Sequence, residues 1–200
     1  MLLSLKILLF FAAGILLGYA NWLGFIPTGT DAGKYALYLL MFLVGISIGA
    51  DSKSLLTIKK QGLRLLLLPV ATVLGTFAGV LLITNLLPEV STREGLAVGA
   101  GFGYYSLSSI IISELHSEAL GVTALLSNII REIITLLLAP LMVIFFSKLG
   151  PIAAAGATSM DTTLPIITTA SGKEFAIIAL AHGIILTILV PLLVTFILWV

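Results

Sequence analysis

The chain is built from apolar runs about as long as a bilayer is thick, separated by short polar stretches. Leu2–Trp22, Leu65–Leu87, Leu120–Ser147 and Phe175–Val200 are the longest. A helix rises ~1.5 Å per residue, so about 20 apolar residues cross a ~30 Å hydrocarbon core. Of the 200 residues, 60% are hydrophobic and only 10% charged, against roughly 25% charged in a soluble domain. The fold expected is an all-α integral membrane protein with about seven transmembrane segments in a single domain, residues 1–200. With no cysteine, disulfides and thiolate metal sites are excluded.

Segment one, Leu2–Trp22, reads as a retained first span rather than a cleaved signal, because no small-residue cleavage site comes after it. Segment two runs from Tyr35 to Ala50. Gly14-xxx-Gly18, Gly45-xxx-Gly49 and, in segment three, Gly75-xxx-Gly79 are spacings that let helices approach closely. The connection Asp51–Arg64 holds Lys53, Lys59, Lys60 and Arg64, four of the ten basic residues. Basic loops stay in the cytoplasm, which puts the N-terminus there too. Segment three, Leu65–Leu87, then leads to an external loop with Glu89, Arg93 and Glu94.

Two later segments are interrupted, near 101–109 and 156–165. The first reads Gly99-Ala-Gly-Phe-Gly-Tyr-Tyr-Ser-Leu-Ser-Ser109, with Gly101 and Gly103 at the break; the second reads Gly156-Ala-Thr-Ser-Met-Asp-Thr-Thr-Leu-Pro165. Each glycine costs a helix ~1 kcal/mol relative to alanine. Clusters of glycine, hydroxyl and proline at membrane depth mark tight packing or unwound helix lining a polar cavity. The two breaks hint at a duplicated architecture. Between them lies a long helix, Leu120–Ser147, whose length predicts tilt or bending and whose Pro140 predicts a kink. Counting alternate crossings from a cytoplasmic N-terminus puts the C-terminus outside; a re-entrant segment four would invert all later segments.

Ionisable groups inside spans carry the chemical information, since a central Asp, Arg or Lys costs roughly 2.5–3.5 kcal/mol to insert. Asp161, Arg131, Glu132 and His182 all fall inside predicted segments. Asn128, Arg131 and Glu132 stand at i, i+3 and i+4, on one helix face. Arg131 can pair with Glu132 or Asp161, Asn128 can act as an interhelical hydrogen-bonding group, and His182 can pack against a carbonyl or titrate beside Asp161. Glu114, with His116 and Glu118, belongs either to an aqueous loop or to a proton path. Tyr104 and Tyr105 suit a cavity wall. No metal-ligand spacing, nucleophile elbow or phosphate-cradling loop is present, so no metal, cofactor or nucleic-acid partner is expected. An intramembrane enzyme using Asp161 and Glu132 as an acid–base pair lacks a nucleophile motif, and a non-enzymatic role is expected.

Taken together, Gly101–Ser108, Asn128-Ile-Ile-Arg-Glu132, Gly156–Pro165, Ala181-His-Gly183 and Phe42-Leu-Val-Gly-Ile46 resemble the LysO family of prokaryotic lysine exporters. The resemblance covers essentially the whole chain and corresponds to the C-terminal part of longer members. It implies export of L-lysine, and of analogues such as thialysine, across the prokaryotic plasma membrane. It also raises a split exporter, completed by a homodimer or a separate N-terminal membrane partner, and transport of another cationic or small polar solute.

Lysine presents one carboxylate and two ammonium groups. Asp161 and Glu132 suit the ammoniums. Backbone N–H groups of the Gly101–Ser108 break, with Ser106 and Ser108, suit the carboxylate, as does Arg131. Asn128, Tyr105, Thr158 and Ser159 complete the expected lining, with Gly101, Gly103 and Gly156 permitting the breaks. Asp161, Glu132, His182 and Glu114 are the candidate proton-coupling groups, the expected coupling ion being H+, or Na+ held by hydroxyl and amide oxygens.

Overall fold

The computed structural model describes residues 64–86 and 90–199, together with Tyr35, Leu39, Phe42 and Ile46, which are helical. Segment one, most of segment two and the basic connection before Arg64 lie outside the described residues. Two compact units partition the chain, Met1–Ala36 and Leu37–Val200. Of the first unit, Tyr35 alone is described; the helices and contacts are those of the second.

The second unit is all helical across its described residues. Among the residues described from Arg64 onward, its helices are α1 (Arg64–Thr84), α2 (Thr92–Gly99), α3 (Tyr105–Leu115), α4 (Glu118–Phe146), α5 (Gly150–Ala155), α6 (Leu164–Ser171) and α7 (Ala176–Trp199), with 3-10 turns at Gly156–Met160 and Lys173–Phe175. Among the described residues, three stretches are long and apolar enough to cross a membrane: Leu66–Thr84, Glu118–Phe146 and Lys173–Trp199. Pro69, Pro140 and Pro191 all lie within helices that continue past them. At ~1.5 Å per residue, α4 is on the order of 43 Å long and exceeds the hydrocarbon thickness, as its sequence predicts.

The interrupted segments fold back on themselves. Each is a hairpin that enters and leaves at one end of the bundle. The α2–α3 hairpin is closed at its mouth by Glu94 and His116, 3.5 Å apart. The α5–α6 hairpin is closed by Lys148 and Glu174, also 3.5 Å apart, with the Lys148 ammonium 5.4 Å from the Phe175 ring centre. The mouths lie at opposite ends. Arg93, at the first mouth, donates to the carbonyls of Ile197 and Leu198 at the end of α7. Leu68, near the start of α1, shares a cavity wall with Phe146, Leu149 and Gly150 at the second mouth.

The order is therefore a crossing helix and then a hairpin, α1 with α2–α3, repeated in the opposite direction as α4 with α5–α6. A single re-entrant segment would invert everything after it. Two of them restore the count, so α7 ends at the same end of the bundle as Thr84.

Small residues let these elements close on one another. Ala97, Ala100, Ala124 and Ala157 pack with Phe102, Leu107, Leu186 and Val190 in one buried cluster. Gly183 of α7 lies so near the 3-10 turn that a Cβ there would stand 2.6 Å from the Met160 Cβ and 2.7 Å from the Ala157 carbonyl oxygen. Gly75 and Gly79, expected to form a close-packing face, have no described atom within 4 Å of a Cβ position.

Candidate functional site

The tips of the two hairpins meet inside the bundle. Ala157 N–H donates to the Phe102 carbonyl at 2.8 Å. The approach needs unusual backbone on both sides: Phe102 and Gly103 have φ of 44° and 90°, and Gly156 has φ of 67°. A Cβ on Gly103 would stand 2.8 Å from the Ala155 carbonyl oxygen, and one on Gly156 would overlap the Phe102 carbonyl. Phe102 is not glycine, and its left-handed conformation costs on the order of 1–3 kcal/mol. Complete burial holds it there, with the Phe77 ring at 5.9 Å and the Arg131 guanidinium at 5.9 Å from its centre.

Helix α4 fastens both tips with two residues one turn apart. Asn128 Oδ1 accepts from Gly103 N–H at 2.7 Å, and its Nδ2 donates to Ala124 at 2.9 Å and Val98 at 3.3 Å. Its amide is thus spent on the α2–α3 break. Arg131 donates from Nε to Ala154 at 2.8 Å and from a terminal nitrogen to Ala153 at 3.1 Å; the other terminal nitrogen reaches Thr76 Oγ1 at 3.4 Å. A cation on the last carbonyls of a helix opposes its negative end, so Arg131 caps α5. Among the described residues no carboxylate lies within 4 Å of Arg131. Neither of the pairings open to it in sequence, Glu132 or Asp161, is formed.

His182 of α7 is fully buried and links three elements. Its Nδ1 is 3.2 Å from the Gly156 carbonyl and 3.2 Å from Ser159 Oγ, and its Nε2 is 3.0 Å from Thr72 Oγ1. Ser159 Oγ also lies 2.8 Å from the Ala179 carbonyl. The tautomer protonated on Nδ1 satisfies these groups together: it donates to Gly156, accepts from Thr72, and leaves Ser159 to donate to Ala179. No bond links His182 to Asp161. Thr158 Oγ1 donates to the Ala155 carbonyl at 3.0 Å, and Ser108 Oγ donates to the Tyr104 carbonyl at 2.9 Å. Both hydroxyls serve the local backbone.

What remains at the tips is the part with free valence. Asp161 is exposed and, among the described residues, accepts only from Thr162, through its peptide N–H and its hydroxyl. Glu132 is half-buried and forms no ion pair among the described residues. Tyr105 begins α3, whose N-cap, Tyr104, makes no side-chain hydrogen bond. The first N–H groups of a helix have no acceptor within it, so Tyr105, Ser106 and Leu107 offer free donors at the start of α3. Ser106 is exposed at this edge. Glu114 lies at the other end of α3, next to the hairpin mouth, and is not part of the cluster.

Asp161, Glu132, Tyr105 and Ser106 are left, among the described residues, without the bonds that commit the other candidates to holding the tips. The arrangement assigns Asn128, Arg131, Ser108, Thr158, Ser159 and His182 to bonds that hold the tips. Thr72, Thr76 and Phe102 do not stand out on a reading of the sequence for ionisable groups and breaks. Thr72 and Thr76 stand one turn apart in an otherwise apolar helix, a polar stripe that could have found them. Nothing marks Phe102 apart from the flanking glycines.

The family model described as Lysine exporter LysO matches residues 8–198. The chain is 34% identical over 193 residues to the "Lysine exporter LysO" of Escherichia coli, covering 96% of this chain and 63% of that protein. It is 35% identical over 187 residues to the "Putative lysine exporter" of Haemophilus influenzae, covering 92% of each. The chain therefore spans less than two thirds of the length of the E. coli relative. No solved structure matches it. With a matching model across nearly all its residues and relatives above 30% identity, this all-helical membrane chain belongs to the family of the lysine exporter LysO.

Proposed function

We propose that the chain exports L-lysine, and close analogues such as thialysine, across the plasma membrane of a prokaryote. The observation that carries this reading is the pair of carboxylates, Asp161 and Glu132, without a cation partner among the described residues where the hairpin tips meet. Two anionic groups suit two ammoniums, and the free N–H groups starting α3 suit the α-carboxylate. The E. coli and H. influenzae relatives are named for lysine export. The distribution of basic residues supports a cytoplasmic second mouth, which holds Lys148 and Lys173, while the first mouth holds Arg93 with Glu94, Glu114 and Glu118. In that orientation α1 runs outward and the N-terminus is cytoplasmic.

Moving a net positive charge outward against an inside-negative potential costs ~2.3 kcal/mol per 100 mV. Exchange of lysine for a proton is electroneutral and avoids that term. A carboxylate that binds lysine and a proton in turn, Asp161 or Glu132, would couple the two; Na+ exchange would be equally neutral. The test is efflux from lysine-loaded proteoliposomes. Asp161→Asn should insert normally and lose export, while retention of normal efflux by this variant would sink the assignment. Competition by arginine and ornithine reads the breadth of the cationic substrate class.

A second reading has this chain work with a separate N-terminal membrane partner or as a homodimer; it covers 63% of the E. coli relative and 92% of the H. influenzae one. Lysine binding and efflux by the purified chain alone, with its stoichiometry measured, separate a self-sufficient exporter from such a subunit.

A further inference from the structure

A cavity of about 530 Å³ lies between α1, α2 and α4. Its described walls are mostly apolar, Val80, Val98 and Leu120 among them; the polar groups are Glu94 and Ser117 at the first hairpin mouth, Thr123 and Ser127 next along α4, and Asn128 and Arg131 at the inner end. On α4, 100° per residue puts Ser127 and Arg131 on one flank of the buried strip through Asn128 and Thr135, and Glu132 on the other. The cavity and Glu132 thus lie on opposite flanks of α4.

Arg131 decides what fills this cavity. Its guanidinium is held only by two carbonyls, a threonine hydroxyl and an aromatic face, with no carboxylate within 4 Å among the described residues. Ionised side chains at membrane depth face a bundle interior or a water-filled cavity, or pair with other charges or backbone carbonyls; Arg131 caps α5 and also lines this cavity together with a row of hydroxyls. The neighbouring hydroxyls would be wasted on lipid. A 530 Å³ space holds many waters and has ample room for an amino acid.

We propose that this cavity is a water-filled release vestibule for the exported cation, opening at the Glu94–His116 mouth. The inference rests on the export reading above. A fixed cation at the floor lowers the vestibule's affinity for lysine, and Glu94 at the mouth draws the ammonium groups outward. The outward compartment is in this way built to let the cation go rather than to hold it.

The absence of cysteine from the sequence makes the test direct. Single cysteines are placed at Ser127→Cys in the vestibule, at exposed Thr92→Cys as the accessible reference, and at Leu137→Cys, 71% exposed on the apolar flank of α4, as the lipid-facing reference. Intact cells are treated with membrane-impermeant thiosulfonates, one cationic and one anionic. Ser127→Cys should be modified from outside, Leu137→Cys should not, and the anionic reagent should be favoured several-fold more at position 127 than at position 92. Lysine efflux by modified Ser127→Cys should fall well below that of the same variant unmodified. Modification of Ser127→Cys no faster than Leu137→Cys would overturn the vestibule, as would modification only in inverted vesicles. Modification with unchanged efflux would show a hydrated cavity that lysine does not use, and would overturn the release path. The same labelling in an Asp161→Asn background should persist, so that loss of export and loss of the vestibule are separate results.

Discussion

The peptide N–H of Ala157 donates to the carbonyl of Phe102 at 2.8 Å, joining backbone to backbone two hairpins that enter from opposite ends of the bundle. The bond exists because Gly156 turns the chain with φ of 67° and has no Cβ to strike the Phe102 carbonyl. Gly156→Ala adds both a left-handed penalty and a clash against backbone that cannot rotate away. We expect a loss of about 2–4 kcal/mol, read as a lowered thermal unfolding midpoint in detergent. Gly75→Ala, with no described atom near its Cβ position, should be neutral or slightly stabilising in the same assay.

Asn128 predicts a sharper result because each of its bonds has a fixed direction. The side-chain oxygen accepts from Gly103, and the nitrogen donates to Val98 and Ala124. Asn128→Asp keeps the shape, removes both donations and buries a charge facing two carbonyls. It should cost about 3–5 kcal/mol and raise hydrogen exchange in residues 98–108. Equal exchange in wild type and variant there would contradict the fastening role.

The positions of both breaks are legible in sequence, because Gly, Pro and hydroxyl residues are costly in a lipid-facing helix and so mark a departure from one. That the broken segments turn back is not legible. It depends on Glu94 meeting His116 and Lys148 meeting Glu174 across 22 and 26 residues, pairings that hydropathy does not encode. Asn128, Arg131 and Glu132 share one helix, as their spacing predicts. Periodicity gives the face but not its neighbour, so it cannot separate Asn128 and Arg131, bonded to backbone, from Glu132. His182 is ambiguous in sequence for the same reason, since its partners Thr72 and Gly156 are distant along the chain.

At the first mouth, Ser91 and Glu94 form a capping box: Ser91 Oγ accepts from Glu94 N–H at 3.2 Å and Glu94 accepts from Ser91 N–H at 2.8 Å. The hydrogen bonds from Ser91, aided by the charge of His116, hold the Glu94 carboxyl below its ordinary pKa of 4.5. A lowered folded-state value means that the stabilisation is present above the unfolded value and is lost as pH falls through the folded one. The Ser91–Glu94 capping box should therefore be intact above the ordinary carboxylate range and weaken in acid as Glu94 is protonated. Ser91→Ala should cost about 1 kcal/mol and move the Glu94 titration upward, which carboxyl-resolved NMR or infrared titration would detect. An unmoved titration would mean that Ser91 does not set it.

Arg131 separates the two hairpins experimentally. Its fork spans the Ala153 and Ala154 carbonyls at the end of α5 while reaching Thr76 on α1. Lysine keeps the charge but presents one compact ammonium, which cannot donate in parallel to two carbonyls and a hydroxyl. Arg131→Lys should lose about 2–3 kcal/mol, the scale of one or two charge-assisted hydrogen bonds. The loss should be local. Hydrogen exchange should rise across residues 150–163, where the capped helix and its 3-10 continuation lie, and stay unchanged at 105–115. Asn128 variants should give the opposite map, loosening the first hairpin and sparing the second. If Arg131→Lys loosened both hairpins equally, the Ala157–Phe102 bond would be transmitting the strain, and the tips would have to be treated as one rigid unit during transport.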